Sequence, residues 1–147
     1  MNKKIEVGQL IGERRIHVDR ATLIRYAGAS GDFNVIHWDE QAAKSVDLPD
    51  VIAHGMWTMG AAIQLVVDWC GDAGRVTSYG AKFTAPVPVP RDGGADIDIS
   101  ALVKSVDRDR LNIELTAASN GSKVLTRAVA TVAIRNIDDC PEEENTA

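Results

Sequence analysis

Aromatic residues, cysteines and long apolar runs are all scarce in this sequence. Each shortage limits what kind of protein this can be. Phe, Trp and Tyr make up only 5% of the 147 residues, so the core has to be built mainly from aliphatic side chains. Two cysteines, Cys70 and Cys140, are too few for a disulfide framework or a cysteine metal cluster. The longest apolar run, residues 56–69, is too short to cross a bilayer and contains Asp68. The composition is typical of a soluble globular protein.

The formal net charge of −5 comes from one end of the chain. Residues 138–147 contain five acidic side chains and no basic one, and without them residues 1–137 carry no net charge. We therefore expect one domain over residues 1–137 and an acidic, disordered tail over residues 138–147. A neutral domain argues against a nucleic-acid partner. The first residues lack the apolar core of a signal peptide, which favours a cytoplasmic protein without membrane contact.

Helix signals dominate the first half of the chain. Asp19 is a suitable N-cap for a helix over residues 19–30, and Asp39 can cap a shorter helix over residues 39–46. Residues 55–69 predict a third helix whose apolar side chains occupy nearly all sides. A helix of that kind is usually buried, so we expect it at the centre of the domain.

Strand signals dominate the second half. A short strand is predicted at residues 13–18, and another begins at Tyr79 and runs into a proline-rich edge. Three longer strands follow, joined by tight turns, at residues 95–106, 111–118 and 123–135. The pattern predicts an α+β domain in which an antiparallel sheet wraps around the buried helix.

Asp32 and His37 are the strongest candidates for chemistry, although their spacing alone says little. Five residues apart on a helix, they would point about 140° from each other. Gly31 and Asn34 favour a loop instead, which can bring the two side chains together, and the Asn34 side chain could brace such a loop. On spacing alone, a polar turn with His37 bonded to a backbone carbonyl is the better interpretation.

A second candidate is the run Ala53-His-Gly-Met56, which precedes the predicted central helix. The first N–H groups of a helix have no partner inside it and lie at its positive end. Gly55 has no side chain to block an approaching ligand, so its N–H could stabilise an oxyanion. Taken alone, a plain glycine at a helix start explains Gly55 equally simply, and a cap or core position is the commoner role for His54.

Three motifs in this order, SGDFNVIHWD, AHGM and KFTAPVPV, resemble the MaoC-like hot dog-fold hydratases and dehydratases. That family includes (R)-specific enoyl-CoA hydratases and 3-hydroxyacyl-ACP dehydratases, and the resemblance covers residues 7–134. The segments YAGASGDFNVIHWDE, IAHGMWTMG and VKSV are most similar to the catalytic subunit of actinobacterial-type fatty-acid-synthase-II dehydratases. Those subunits pair with a non-catalytic hot dog partner.

The resemblance implies a single hot dog fold and a site with assigned roles. Asp32 and His37 would carry the acid–base chemistry, in either order, and the Gly55 N–H would hold the thioester oxygen. Other positions expected near the substrate are Asn34, His54, Met56 and Lys82. Lys82 either faces the phosphates of the carrier or is an ordinary solvated lysine. No metal or redox cofactor is needed, because both steps of hydration are proton transfers.

The implied substrate is an acyl-CoA or acyl-ACP thioester, bound in a homodimer or a heterodimer with a second hot dog subunit. Two positions depart from the family pattern: Val35 stands where proline is common, and Ile63 where some members carry a water-binding serine. A hot dog acyl thioesterase and a non-catalytic acyl-binding subunit are the alternatives. The presence of both Asp32 and His37 favours the hydro-lyase.

Overall fold

The computed structural model describes residues 5–134, and the expected tail at 138–147 lies outside this range together with the expected domain boundary. The three helices are α1 (Arg20–Ser30), α2 (Glu40–Ser45) and α3 (Gly55–Cys70). The five strands are β1 (Leu10–Val18), β2 (Val76–Phe83), β3 (Ala95–Val106), β4 (Arg110–Ser119) and β5 (Ser122–Ala133). None of the helices in this range is long and apolar enough to cross a bilayer.

All five strands form one antiparallel sheet in the order β1-β3-β4-β5-β2. The three long strands β3, β4 and β5 form the predicted meander, and buried residues alternate with more exposed ones along β3 and β4. The turn between β4 and β5 contains Asn120 and Gly121 with positive φ angles of 49° and 76°. Both residues tolerate this left-handed backbone, which tight hairpins require.

Helix α3 packs against all five strands, which confirms the predicted hot dog architecture. Asp19 caps α1 and Asp39 caps α2, as their positions indicated. Small side chains make room for the central helix: Ala62 on α3 is fully buried, and so are Ala101 and Ala117 on the sheet. Each of these methyl groups lets backbones approach closely while still removing apolar surface from water.

The central helix is less enclosed than its sequence suggested. One stripe, with residues four positions apart, stays exposed; it consists of Met56, Gly60, Gln64 and Asp68. A side chain on every fourth position lies on one face of a helix, and a five-stranded sheet curls around only the other faces. Towards the end of the stripe, Asp68 accepts hydrogen bonds from Gln64 (2.6 Å) and Arg14 (2.7 Å).

Strand β2 lies at an edge of the sheet, as predicted, but it begins at Val76 and stops before the first proline. Proline has no N–H to donate to a neighbouring strand, so the chain continues irregularly over residues 84–90. This segment runs beside residues 50–53, with hydrogen bonds from Ala53 N–H to the Val87 carbonyl (2.9 Å) and from Val89 N–H to the Val51 carbonyl (2.8 Å). The two segments form a wall next to the start of α3.

Candidate active site

A cavity of about 320 Å³ lies between the start of α3 and the end of β2. Its walls are mainly apolar, formed by residues 83–87 together with Val124 and Leu125 of β5. His37, Gly55 and Thr58 bring polar groups to it. An apolar cavity with a few convergent polar groups is the usual form of a small-molecule site.

The loop that carries the acid and the histidine is shaped by its own side chains. Helix α1 ends at Gly31, whose φ of 75° suits glycine. Asp32 Oδ1 then accepts from the Asn34 N–H (3.2 Å), and Asn34 Oδ1 accepts from the Ile36 N–H (3.3 Å). These two successive turns lead into a single 3₁₀ turn, Val35–His37. The loop therefore bends back, and Asn34 braces it.

The bend brings His37 Nε2 to 3.8 Å from Asp32 Oδ2. On the other side of the ring, His37 Nδ1 lies 2.7 Å from the carbonyl oxygen of Ile52. A carbonyl only accepts, so Nδ1 carries the proton and Nε2 of the neutral ring keeps its lone pair. Both contacts of the polar-turn interpretation occur, and the two side chains nevertheless converge.

Burial lowers the pKa of His37 from its ordinary value of 6.5. The hydrogen bond to the Ile52 carbonyl raises it, neighbouring His54 lowers it, and Asp32 raises it again, in decreasing order of effect. The His37 side chain is only 9% exposed, whereas that of Asp32 is 53% exposed in the single chain. His37 is thus a neutral imidazole at pH 7, next to a solvated carboxylate.

His54 supports the loop from behind. It is 1% exposed, and its ring stacks on His37 with the ring centres 3.7 Å apart and the planes at 21°. Its Nε2–H donates to the main-chain carbonyl of Asp32 (3.1 Å), and the edge of Tyr26 packs 4.8 Å away. The ring does not line the cavity. Its expected place near the substrate therefore stays a prediction, while its contacts are those of a core histidine.

Asp32, His37 and His54 also place possible metal-ligand atoms within 4.8 Å of one another. The two rings are stacked with their centres 3.7 Å apart, so their lone pairs lie in two nearly parallel planes and do not meet at one ion. Zinc needs ligand nitrogens about 2.0–2.1 Å away, converging on one point. The hydrogen bonds of His37 Nδ1 and His54 Nε2 also occupy one nitrogen on each ring. The group suits proton transfer better than metal binding.

Gly55 is the first residue of α3 and lines the cavity. Its N–H is one of the first amides of the helix, which have no partner within it. A Cβ at this position would lie 3.0 Å from Cε1 of the Phe83 ring. Glycine therefore lets the amide and the aromatic ring share the same end of the cavity.

The remaining predicted positions are not among the residues that line the cavity. Met56 is 60% exposed on the uncovered stripe of α3, and Lys82 is exposed on β2 next to Phe83. Ile63, the position of the expected serine, packs against the core. Val35 is half exposed at the start of the 3₁₀ turn. Contact of Met56 or Lys82 with a substrate remains a prediction.

Among the cavity residues that the sequence reasoning missed, Thr58 and Phe83 lie close to Gly55 in the sequence or in space. Thr58 is buried, and it follows Gly55 by three positions, so both lie on one face of α3. That spacing was visible in the sequence. Phe83, in contrast, reaches Gly55 only because β2 ends beside the start of α3, and no local pattern signals such a contact.

Fold and site together define a class: a hot dog domain with an Asp–His pair beside the N-terminus of its central helix. The sequence matches the family profile described as MaoC like domain over residues 4–123. The chain belongs to this MaoC-like family, as its motifs predicted.

Individual relatives agree with that assignment. The 3-hydroxyacyl-thioester dehydratase X of Mycobacterium tuberculosis is 35% identical over 98 residues, which is 60% of this chain and 34% of that protein. A solved MaoC-like dehydratase superposes with a TM-score of 0.84 at 40% identity, over 87% of this chain and 40% of the other. The chain thus spans well under half the length of both relatives.

The fold also recurs in the ChsH1–ChsH2 complex of Mycobacterium tuberculosis. A chain of that complex is 20% identical and superposes with a TM-score of 0.78, over 88% of this chain and 98% of the other. At this identity the likeness concerns the fold.

Proposed function

We propose that this protein is a hydro-lyase that adds water to trans-2-enoyl thioesters and, in reverse, dehydrates (3R)-3-hydroxyacyl thioesters. One observation carries the proposal: His37, whose Nε2 keeps its lone pair, and Gly55, the first residue of α3, line the same apolar cavity. A base and an oxyanion donor are the two groups that this reaction requires. The name of the dehydratase relative supports the same substrate class.

The substrate is oriented by the polarity of the cavity. The acyl chain lies along the apolar wall of residues 83–87 and Leu125. The thioester oxygen accepts from the Gly55 N–H at the positive end of α3. The carrier, CoA or ACP, stays outside, where Lys82 is available to its phosphates.

Hydration then needs two proton transfers through one residue. A water that bridges His37 Nε2 and Asp32 Oδ2, which lie 3.8 Å apart, gives a proton to His37 Nε2 while its oxygen bonds to C3. The π pair of the C2–C3 double bond forms a C1–C2 double bond, and the carbonyl π pair moves to the thioester oxygen, where Gly55 stabilises the enolate. The imidazolium returns the proton to C2, the enolate collapses, and the neutral ring is restored. Dehydration follows the same steps backwards.

Asp32 assists without changing its own protonation. Its carboxylate accepts the second hydrogen of the water and stabilises the imidazolium while it exists. The lowered pKa of His37 keeps the free enzyme neutral at this ring, ready to accept a proton. His37 is therefore the base in the hydration direction, and Asp32 orients and stabilises.

The assembly completes the site. Met56 and Phe83 are large exposed apolar side chains, and Asp32 is half exposed in the single chain. A second hot dog subunit covering this region would bury the apolar surface and shield the acid–base pair. The ChsH1–ChsH2 complex offers a precedent for paired subunits on this fold. We expect a cytoplasmic dimer, either of two copies or with a partner as in fatty-acid-synthase-II dehydratases.

The test is the loss of enoyl absorbance when the purified protein is mixed with crotonyl-CoA and longer enoyl thioesters. Asp32→Asn and His37→Ala should each lower kcat about 10²-fold or more, the usual size of general acid–base catalysis. If the wild type is active and both variants keep its rate, the assignment of the pair is wrong. A thiol reagent in the same assay detects free CoA, which only the thioesterase alternative would release.

A further inference from the structure

Thr58 carries a hydroxyl that the reaction described above leaves unused. The residue is 3% exposed on α3 and lines the cavity. Among residues 5–134, the hydroxyl finds one partner, the carbonyl of His54, at a long 3.4 Å. Its lone pairs have no donor there, so the hydroxyl is poorly satisfied.

A poorly satisfied buried hydroxyl costs stability, and valine has nearly the same shape without that cost. The other threonine at the cavity differs in this respect, because the Thr84 hydroxyl donates to the Lys123 carbonyl at 2.8 Å. The Thr84 hydroxyl is thus held by a short bond, whereas the Thr58 hydroxyl makes only a long one. The cavity itself is where a partner for Thr58 would have to bind.

The position of Thr58 relates it directly to the acid–base pair. It lies three residues after Gly55, on the same helix face and one turn deeper. The residue whose carbonyl it contacts, His54, is the one whose ring stacks on His37. Thr58 therefore lines the same cavity as His37 and Gly55, with its hydroxyl on the carbonyl that precedes the oxyanion donor.

We propose that Thr58 binds the reacting oxygen atom: the water during hydration, and the C3 hydroxyl of the substrate during dehydration. The hydroxyl turns from the His54 carbonyl and donates to one lone pair of that oxygen. The two hydrogens of the water then face His37 and Asp32, and its second lone pair points at C3. The inference rests on the proposed hydro-lyase activity and adds a group that determines the orientation of the water.

The core experiment compares Thr58→Val with Thr58→Ser. Valine keeps the shape and removes the hydroxyl, so kcat with crotonyl-CoA should fall about 10- to 100-fold while KM stays nearly unchanged. The melting temperature should stay the same or rise, because the poorly satisfied hydroxyl is gone. Serine keeps the hydroxyl and should stay within about threefold of the wild type, allowing for its freer rotamers. Thr131→Val is the matched control, because it removes a β-strand hydroxyl that bonds to Asn112 away from the cavity.

A binding measurement tests the same contact without turnover. In the slow Asp32→Asn background, calorimetry compares (3R)-3-hydroxybutyryl-CoA with butyryl-CoA, which lacks the C3 hydroxyl. We expect tighter binding of the hydroxylated ligand, and loss of that preference when Thr58→Val is added. Unchanged kcat in Thr58→Val, failure of serine to restore it, or an unchanged ligand preference would each overturn the proposal. An inactive wild type would instead refute the hydro-lyase activity itself, and the ligand preference would still decide the role of Thr58.

Discussion

Gly55→Ala places a single methyl group where the cavity has no room for it. The new Cβ would lie 3.0, 3.1 and 3.3 Å from three atoms of the Phe83 ring, all closer than the 3.4–4 Å of ordinary contact. The ring is half exposed, so it can shift by a few tenths of an ångström at little cost. Alanine also favours a helix over glycine by up to about 1 kcal/mol. The free energy of unfolding should therefore change by less than about 1 kcal/mol.

Activity should respond far more than stability. In the proposed reaction the thioester oxygen binds to the Gly55 amide, and the methyl group would stand beside it. Complete loss of one oxyanion donor costs about 10²- to 10³-fold in rate, and alanine keeps the N–H but displaces the oxygen from it. We expect kcat/KM for crotonyl-CoA to fall about 10- to 100-fold.

The assay pairs this variant with Gly28→Ala, in which the added Cβ has no neighbour within 4 Å. That control should keep full activity. A second variant, Phe83→Leu, relieves the contact between methyl and ring but not the contact between methyl and substrate. The double variant should thus stay impaired. If Gly55→Ala keeps the wild-type kcat/KM, the thioester does not bind at this amide. If the double variant recovers the wild-type kcat/KM, the loss in Gly55→Ala is caused by displacement of the Phe83 ring.

Three further predictions concern the loop. Because burial lowers the pKa of His37 below 6.5, the acid limb of the kcat/KM profile should lie below pH 6.5, and a limb at or above 6.5 would contradict a buried neutral base. As the pH falls, His37 takes up a proton in the unfolded chain before it does so in the folded protein. The free energy of unfolding should therefore be highest above pH 6.5 and decline as the pH falls through the lowered pKa, which thermal melts at several pH values would show. Val35→Pro should raise the free energy of unfolding by about 0.4–1 kcal/mol in denaturant titrations, because Asn34 (φ −55°, ψ 126°) already has the backbone conformation that precedes proline. A lower free energy of unfolding would mean that the N–H of Val35 is needed. His54→Phe keeps an aromatic ring but loses the N–H that donates to the Asp32 carbonyl. We expect kcat to fall about tenfold or more while the circular dichroism spectrum stays native. An unchanged kcat would show that this hydrogen bond is dispensable.

Most of the fold could be predicted because its signals are local. Asp19 and Asp39 cap their helices through hydrogen bonds to amides only two or three residues away. Alternation of apolar and polar residues predicted β3 and β4. The turn signal at Asn120 and Gly121 predicted the hairpin that joins β4 to β5. Such features depend on the backbone within a few residues, so they are visible in the sequence.

The site was predictable only in part, because its decisive contacts are long-range. His37 is oriented by the carbonyl of Ile52, fifteen residues away, and it is covered by the ring of His54. Neither contact follows from the spacing of Asp32 and His37, which on its own favoured a polar turn. The exposed stripe on α3 was missed for a related reason. How far a sheet curls around a helix is a property of the whole fold.

Ile52 has a double position in this protein. Its N–H donates to the Ile36 carbonyl (3.1 Å), and its own carbonyl accepts from His37. Main-chain atoms of this one residue therefore bind the 3₁₀ turn Val35–His37 at two places. The same residue lines the cavity. Every amino acid supplies the same carbonyl oxygen, so the side chain at position 52 can be exchanged without altering where the proton of His37 sits. For the proposed hydro-lyase, exchanging this side chain by mutation or design would change acyl-chain selectivity and leave the chemistry of the histidine unchanged.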